Sequence, residues 1–325
     1  AKAYKSGTDK TDGYRWFWGD HYRYVYGLDI EVPVITLDKF MGGLTIERKG
    51  GGHQTRSLRL IDRQGRNYAL RAVKKSAVQF LQTVVFKTSF VKDDFRETVT
   101  EDAFLDFYTS SHPYAGFTIG PLSDAIGLYH TNPQLVYMPK HAALGNFNIE
   151  FGDELYIIEE RPDDGFLDVE SFGKPDDIES TSDMLDKIRE DEKYQVDEAS
   201  FIKARLFDML VGDWDRHQDQ WRWSRFDISK DKRIYRPIPR DRDQVYSNYD
   251  GALLDFMKAI IPATRQFQEF KGELKDIKWL NSAGIKLDRA LTQNSDLEVW
   301  LAQARYIQGQ LTDEVIDAAF SKLPP

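Results

Sequence analysis

Four titratable residues alternate within one short stretch of the chain: Asp213, Asp215, His217 and Asp219. They follow a predicted apolar helix, so several carboxylates are crowded where that helix ends. Like charges at this spacing repel each other, and packing alone gives little reason for them. The pattern therefore indicates that a metal ion or a transferred proton compensates the charge.

A second acidic cluster contains Asp241 and Asp243, and a spacer of the length of a β-hairpin separates it from the first. Magnesium-assisted phosphoryl transfer needs two such groups, because one carboxylate orients the attacking hydroxyl while another holds the metal ion. The paired clusters therefore predict a site for metal-dependent phosphoryl transfer.

Other interpretations of the first cluster stay open. It could be a solvated acidic loop whose partners are Arg216, Arg222 and Arg225. A calcium loop fits poorly, because the sixth position is not Gly and Ser224 stands where the bidentate Glu would be. The sequence from Gly212 is one residue short of the Gly-Asp-x-x-Asp-Arg motif of calcineurin-like phosphoesterases, and the flanking motifs of that family are absent from the sequence.

A run of three glycines, Gly50, Gly51 and Gly52, predicts a turn between two strands. Glycines let the backbone approach a ligand closely and point several N–H groups at it, which suits phosphate. The run is neither a Walker loop nor a dinucleotide-binding fingerprint, since no Gly-Lys-Ser/Thr follows and the next element is a strand. A plain flexible hairpin is the alternative.

Two cations and one acid complete the candidate nucleotide site. Arg71 lies within a predicted strand between Leu70 and Ala72, and Lys75 follows at its end. A cation beside the glycine turn would bind phosphate oxygens, although solvated surface cations are the alternative. Glu159, at the end of a later strand, is the third candidate.

The elements that must hold these residues are β-rich first and helical later. Alternating apolar residues predict strands over 43–48, 55–61, 67–73, 134–138 and 154–159. Helical spacing predicts helices over 114–128, 198–211, 296–310 and 312–323, with Asp197 capping the second. The aromatic segment 1–40 is expected to pack on the body, and the polar, acidic segment 163–196 is predicted to be a linker or insertion.

Composition narrows the function classes. The chain has 325 residues, a net charge of −9 and no cysteine, which disfavours bulk nucleic-acid binding and excludes a thiol nucleophile or a Cys-ligated metal. No apolar run is long enough to span a bilayer. Because the sequence starts at Ala1 without a signal-peptide pattern, we expect it to be a piece of a longer protein.

The segment from Asp215 to Gln220 resembles the Asp-x-x-x-x-Asn catalytic loop of atypical kinases: HipA-like kinases, type II phosphatidylinositol 4-kinases and secretory-pathway kinases. The resemblance implies that Asp215 is the base and that Gln220 replaces the metal-binding Asn. Asp241 or Asp243 would be the metal-binding Asp of the Asp-x-Gly-x-x-Phe stretch, with Tyr246 as its aromatic residue.

This resemblance implies a two-lobed α+β fold of the protein-kinase type. Residues 41–162 would form the antiparallel β-sheet lobe and residues 163–325 the helical lobe, after the arm 1–40. ATP would lie between the lobes with Mg²⁺ or Mn²⁺, and Gly50, Gly51 and Gly52 would cover its phosphates. The acid that pairs with the strand cation is assigned to Asp124, on the predicted helix 114–128.

Most of the chain also resembles a group of Bacteroidetes envelope proteins, in which such a domain is joined to a calcineurin-like phosphoesterase and an outer-membrane β-barrel. The stretches that carry this resemblance begin at Gly50, His130, Glu159 and the two acidic clusters. It implies a periplasmic location in the cell envelope, although a cytoplasmic one stays open.

The sequence therefore predicts an ATP- and metal-dependent phosphotransferase with an unknown acceptor. Two alternatives stay open. Gln220 in place of Asn favours a kinase-like module that binds nucleotide, or a partner, without catalysis. The same acidic loops could also serve a metal-dependent phosphohydrolase.

Overall fold

The computed structural model describes residues 1–3, 9–50, 55–75 and 106–324, except for the side chain of Lys75. Strands within these ranges form two sheets. Their bounds are β1 Leu44–Lys49, β2 Thr55–Asp62, β3 Asn67–Lys75, β4 Gln134–Met138, β5 Glu154–Glu160, β6 Asp177–Ser180, β7 Tyr194–Val196, β8 Trp221–Ser229 and β9 Lys232–Pro239.

Helices follow the same chain order. Their bounds are α1 Asp12–Trp18, α2 Arg23–Gly27, α3 Ile119–Ile126, α4 Asn148–Phe151, α5 Thr181–Glu190, α6 Glu198–Leu210, α7 Ala252–Ile260, α8 Ile277–Leu280, α9 Ile285–Leu291, α10 Leu297–Gln310 and α11 Asp313–Phe320. None of the helices in the described ranges is both long and apolar enough to cross a membrane.

The first sheet is antiparallel, with the strand order β1-β2-β3-β5-β4. Leu58, Leu70 and Ile158 point from three of its strands into a hydrophobic core, as the alternation of their sequences requires. Arg59, Arg71 and Glu159 occupy the opposite face because side chains alternate along a strand. The five predicted strands are confirmed, to within two residues at their ends.

The second sheet corrects the prediction for residues 163–196. This segment is not a linker: it contains β6, α5 and β7, which complete a four-stranded sheet of order β6-β8-β9-β7. Its acidic residues are paired, since the Arg225 Nη1 atom donates to both Asp177 and Glu179 at 2.7 Å. The acidic composition therefore stabilises an ordered sheet edge.

The helical part packs around α6, whose Phe201, Ala204 and Phe207 are buried. Trp221 and Trp223 of β8 lie against Phe201, with ring centroids 5.3 and 5.8 Å away. The N-cap predicted at Asp197 is confirmed, and Asp296 and Thr312 cap α10 and α11 in the same way, because each accepts a hydrogen bond from the backbone of the following helix turn.

The aromatic arm packs on the body as predicted. Tyr26, Ile30, Ile35 and Leu37 are buried, and Val34 bridges to Tyr137 of β4. With an antiparallel sheet in one part and helices around a second, smaller sheet in the other, the chain has the two-lobed α+β architecture that was predicted.

Candidate active site

Arg71 connects the two lobes at the centre of the candidate site. Its Nη1 atom donates to Glu159 Oε2 at 3.0 Å and to Asp241 Oδ1 at 2.8 Å. Arg71 on β3 and Glu159 on β5 are diagonal neighbours across the sheet, because Ala69 pairs with Glu159 and Arg71 with Ile157. Burial opposes the charge of Arg71, but Asp241 and Glu159 raise the pKa of its guanidinium above the ordinary value.

Glu159 is fixed from a second side. The Thr131 hydroxyl donates a short hydrogen bond to its Oε1 atom, and the carboxylate is almost fully buried. A buried carboxylate with two partners holds the Arg71 side chain in one orientation. The sheet lobe therefore presents a pre-oriented cation to the loop that follows β9.

Asp241 has a left-handed backbone conformation, with a φ of +58°. Asp adopts this conformation more readily than most residues other than Gly and Asn, so the loop turns at Asp241 with little strain. The preceding residue is held by Arg216, whose Nη1 atom donates to the Arg240 carbonyl at 2.7 Å and whose Nη2 atom donates to the Gln220 carbonyl at 2.7 Å. Arg216 thus joins the two loops that were predicted to carry the chemistry.

Asp215 is the carboxyl group best suited to accept a proton. Burial, together with the nearby carboxylates of Asp243, Asp213 and Asp241, raises its pKa to about 7 against the opposing charge of Arg216. Its side chain is half-buried, and it makes no hydrogen bond to another residue within the described part of the chain. Asp215 and Asp241 are therefore close enough for their charges to interact.

The other members of the first acidic cluster have different roles. Asp213 is buried and accepts hydrogen bonds from Arg216 at 3.0 Å and from Arg242 at 2.8 Å, so arginines, rather than a metal ion or a proton, compensate its charge. His217 and Asp219 lie at the loop surface. The interpretation that a metal ion or a proton compensates the whole cluster is therefore wrong for Asp213, and the role of Asp215 stays a prediction.

Beneath the site lies a buried ion-pair network, which sequence reasoning missed. Its members are Asp208, Asp213, Asp288, Arg205, Arg216 and Arg242. Asp208 is fully buried, and three arginines hold its pKa below the ordinary value despite the opposing effect of burial. The spacing of Arg205 and Asp208 on one helix was a local signal for this network.

The predicted metal ligands fit Mg²⁺ in number and type. Mg²⁺ usually binds one or two protein carboxylates and completes its shell with water and substrate phosphates. Asp241 and Asp243 supply two carboxylates on one loop. The Gln220 side chain is buried and lies at the end of the short helical turn that follows His217. The described residues contain no group of three or more acidic or histidine side chains that could hold a metal without such a substrate.

Several predicted residues fall outside the described ranges: Gly51, Gly52 and the side chain of Lys75. Gly50 directly follows β1, and its N–H donates to the Ser57 carbonyl at 2.8 Å. The phosphate-binding roles of these residues stay predictions.

The assignment of Asp124 as the partner of the strand cation is wrong. Asp124 lies on α3 and is exposed, and its Oδ1 atom is 2.9 Å from His130 Nε2. The two acids that contact Arg71 are Glu159 and Asp241, one on the neighbouring strand and one 170 residues away in the chain. The helical spacing around Asp124 carried no information about either.

No protein-family model and no curated protein matches the sequence. Similar solved structures include the Rio2 kinase of Chaetomium thermophilum in an ADP/Mg²⁺-phosphoaspartate complex, with 14% identity and a TM-score of 0.32 over 82% of this chain and 71% of that one. They also include the Helicobacter pylori proinflammatory kinase CtkA, with 12% identity and a TM-score of 0.31 over 89% of this chain and 98% of that one. A second Rio2 structure has 12% identity and a TM-score of 0.30 over 82% and 73%. The two-lobed α+β architecture stands on the sheets and helices of this chain alone.

Proposed function

We propose that this chain is a phosphotransferase that uses ATP and Mg²⁺ or Mn²⁺. The observation that carries the proposal is the contact of Arg71 with both Glu159 and Asp241 in the same electrostatic environment as Asp215. A fixed cation, a carboxylate in contact with it and a carboxyl group with a raised pKa are groups that phosphoryl transfer uses.

Asp215 is the proposed general base. An acceptor hydroxyl attacks the terminal phosphorus, the bond from that phosphorus to the leaving diphosphate oxygen breaks, and the hydroxyl proton passes to Asp215. A pKa of about 7 suits this role, because a base is most effective when its pKa is near the working pH.

Asp241 and Asp243 would hold the metal ion, which supplies compensation for the charge of the phosphates when it is bound. The Arg71 guanidinium would turn from Asp241 toward a phosphate oxygen while keeping its hydrogen bond to Glu159. The buried Glu159 therefore positions the cation in both situations.

The test is nucleotide binding followed by transfer. Calorimetry with ATP and Mg²⁺ should show binding that Asp241→Asn weakens about tenfold or more, because one metal-binding charge is lost. Phosphoryl transfer to an acceptor, or to the chain itself, should fall at least about a hundredfold in Asp215→Asn. Absence of ATP binding at millimolar concentration in both proteins would refute the proposal.

A matched control uses the exposed neighbour Asp219. Asp219→Asn removes the same charge from the same loop without touching the site, so binding and transfer should stay within about twofold of the unchanged protein. An Asp215→Asn protein that transfers phosphate at the full rate would refute the assignment of the base alone.

A second candidate is a kinase-like module that binds nucleotide without transferring phosphate. It is supported by Gln220 in the position of the metal-binding Asn and by the ion pair through which Arg71 occupies Asp241. ATP binding that is abolished by Asp241→Asn, without turnover on any acceptor, would favour this candidate over the phosphotransferase.

The cell-envelope location and the link to a phosphoesterase and a membrane barrel are part of the proposal and rest on sequence resemblance. Fractionation of cells that express the full-length parent protein would test them, with recovery in the periplasmic or outer-membrane fraction as the expected result.

A further inference from the structure

Four half-buried arginines lie close enough to Arg71 or to one another for their charges to interact, and they define a cleft arginine cluster: Arg59, Arg161, Arg222 and Arg240. Arg59 lies on β2 and Arg161 directly follows β5, so both belong to the sheet lobe. Arg222 lies on β8 and Arg240 directly follows β9, in the other lobe. The cluster thus combines positive charge from both lobes.

The register of the first sheet explains how the sheet-lobe members meet. Arg59 pairs with Ala69, and Ala69 pairs with Glu159, so Arg59 and Glu159 flank one small residue on the same face. Arg161 is two residues beyond Glu159 on that face, and Arg48 pairs with Arg59 at the exposed edge.

None of the four arginines makes an ion pair with a carboxylate in the described ranges, although twelve other arginines there do. The Nε atoms of Arg59, Arg161 and Arg240 are buried and lack a hydrogen-bond partner. The protein contacts that the cluster does make are to backbone carbonyls: Arg240 Nη2 donates to Asp219 at 2.9 Å, and Arg222 Nη1 donates to Trp221 at 3.2 Å.

The four charges repel one another. Burial, together with the charges of Arg161, Arg71 and Arg48, lowers the pKa of Arg59 to about 10. Burial, together with the charges of Arg222 and Arg71, likewise lowers the pKa of Arg240 to about 9. Nearby carboxylates such as Glu159 and Asp163 oppose these pKa decreases only in part, and an anionic ligand would offset more of the repulsion.

We propose that the cleft arginine cluster binds an oligophosphate group, meaning two or more phosphates that are linked or adjacent in one small molecule. Phosphate is favoured because the planar guanidinium donates two parallel hydrogen bonds to its oxygens. Several phosphates are needed because one alone would not balance the charge of four arginines. A neutral nucleobase on this face would leave the guanidiniums desolvated without a counter-charge.

This inference rests on the proposed function only in taking the region beside Arg71 as the ligand-binding cleft. It adds the chemical class of the ligand that the arginines bind. The phosphates could be the chain of the nucleotide itself or could belong to a phosphorylated acceptor. Both sources offer the same chemistry to the arginines, so the experiment must separate them.

The experiment is calorimetric titration of the full chain with inorganic tripolyphosphate, without divalent metal and at low salt. Binding is expected, and Arg59→Gln and Arg240→Gln should each weaken it about tenfold or more, because each removes a charge-assisted contact. Arg305→Gln is the matched control: it removes an exposed arginine on α10, and affinity should change by no more than about twofold. Circular dichroism of each variant establishes that it is folded.

Failure of the unchanged protein to bind tripolyphosphate at millimolar concentration would overturn the inference, as would unchanged affinity in both cluster variants. Adding ATP with Mg²⁺ identifies which molecule supplies the phosphates. Displacement of tripolyphosphate by ATP would mean that the cluster binds the phosphate chain of the nucleotide. Simultaneous binding of both would mean that the cluster binds a phosphorylated acceptor. Tripolyphosphate binding without any ATP binding would refute the proposed function while supporting this inference.

Discussion

Arginines beside the cleft occur in two contrasting arrangements. In the buried ion-pair network, three arginines meet three aspartates, and the network is closed and charge-balanced. In the cleft arginine cluster, four arginines make no ion pair with a described carboxylate, whereas buried Nε atoms without a hydrogen-bond partner occur in both groups. The two groups are only a few residues apart, since Arg216 of the network binds the Arg240 carbonyl.

The difference separates a structural role from a binding role. A balanced network satisfies its own charges, so it can fix the loops of Asp213 and Asp241 without any ligand. An unbalanced cluster lowers the stability of the free protein, and such a cost is typical of a site that a ligand completes. Three changes test this contrast, from the largest expected effect to the smallest.

Asp208→Asn should destabilise the protein by about 3–5 kcal/mol, the cost of breaking a buried ion pair by removing one partner. Asp208 is fully buried, and Arg205 and Arg242 both donate to it, so the change leaves two buried cations short of counter-charge. Urea unfolding followed by tryptophan fluorescence measures the loss.

The control for Asp208 is Asp186→Asn. Asp186 forms an exposed pair with Arg189 within α5, at 2.9 Å, and losing it should cost less than about 0.5 kcal/mol. Similar losses in the two variants would mean that the network is no more structural than a surface pair.

Asp215→Asn should stabilise the protein at pH 8 by on the order of 1–2 kcal/mol. Arginines lower the pKa of Asp208, whereas burial and neighbouring carboxylates raise the pKa of Asp215 in the folded chain to about 7. Between about pH 4 and pH 7, the folded chain keeps a proton that the unfolded chain has lost. The contribution of Asp215 to stability therefore falls as the pH rises through this window, and above it the charged form is destabilising.

Urea unfolding at pH 5, 6, 7 and 8 measures this dependence. The gap between Asp215→Asn and the unchanged protein should widen as the pH rises to about 7 and then level off. Asp219→Asn, whose carboxylate is exposed, should give no such gap. A gap of constant size at every pH would mean that Asp215 does not titrate near neutrality.

Features of the structure that depend on neighbouring residues in the chain could be predicted from the sequence. The strand 134–138 was predicted from its own residues alone, and the start of α6 was predicted from Asp197 because a cap bonds within three residues. Asp215 was predicted as the base because its position matches a short motif.

Tertiary pairing could not be predicted in the same way. Asp213 was assigned to chemistry because its partner Arg242 lies 29 residues away in the chain. The strand cation Arg71 was paired with Asp124 because neither of its actual partners, Glu159 and Asp241, is near it in the chain. Arg59 and Arg240 carry no motif, since a single arginine in or after a strand usually lies at the surface. Only the folded sheets bring them to one cleft.

Arg59→Gln should stabilise the free protein by about 0.5–1 kcal/mol, the smallest of the three effects, because it removes one of several mutually repelling charges. Arg242→Gln is the matched change in the buried network, and it should destabilise the protein by about 3 kcal/mol or more because Asp208 and Asp213 lose a partner. Thermal unfolding in low and high NaCl should also show a smaller gain from salt in Arg59→Gln, since screening relieves the same repulsion. A loss of stability in Arg59→Gln like that in Arg242→Gln would mean that Arg59 has a carboxylate partner, and the cleft cluster would then be as balanced as the network below it.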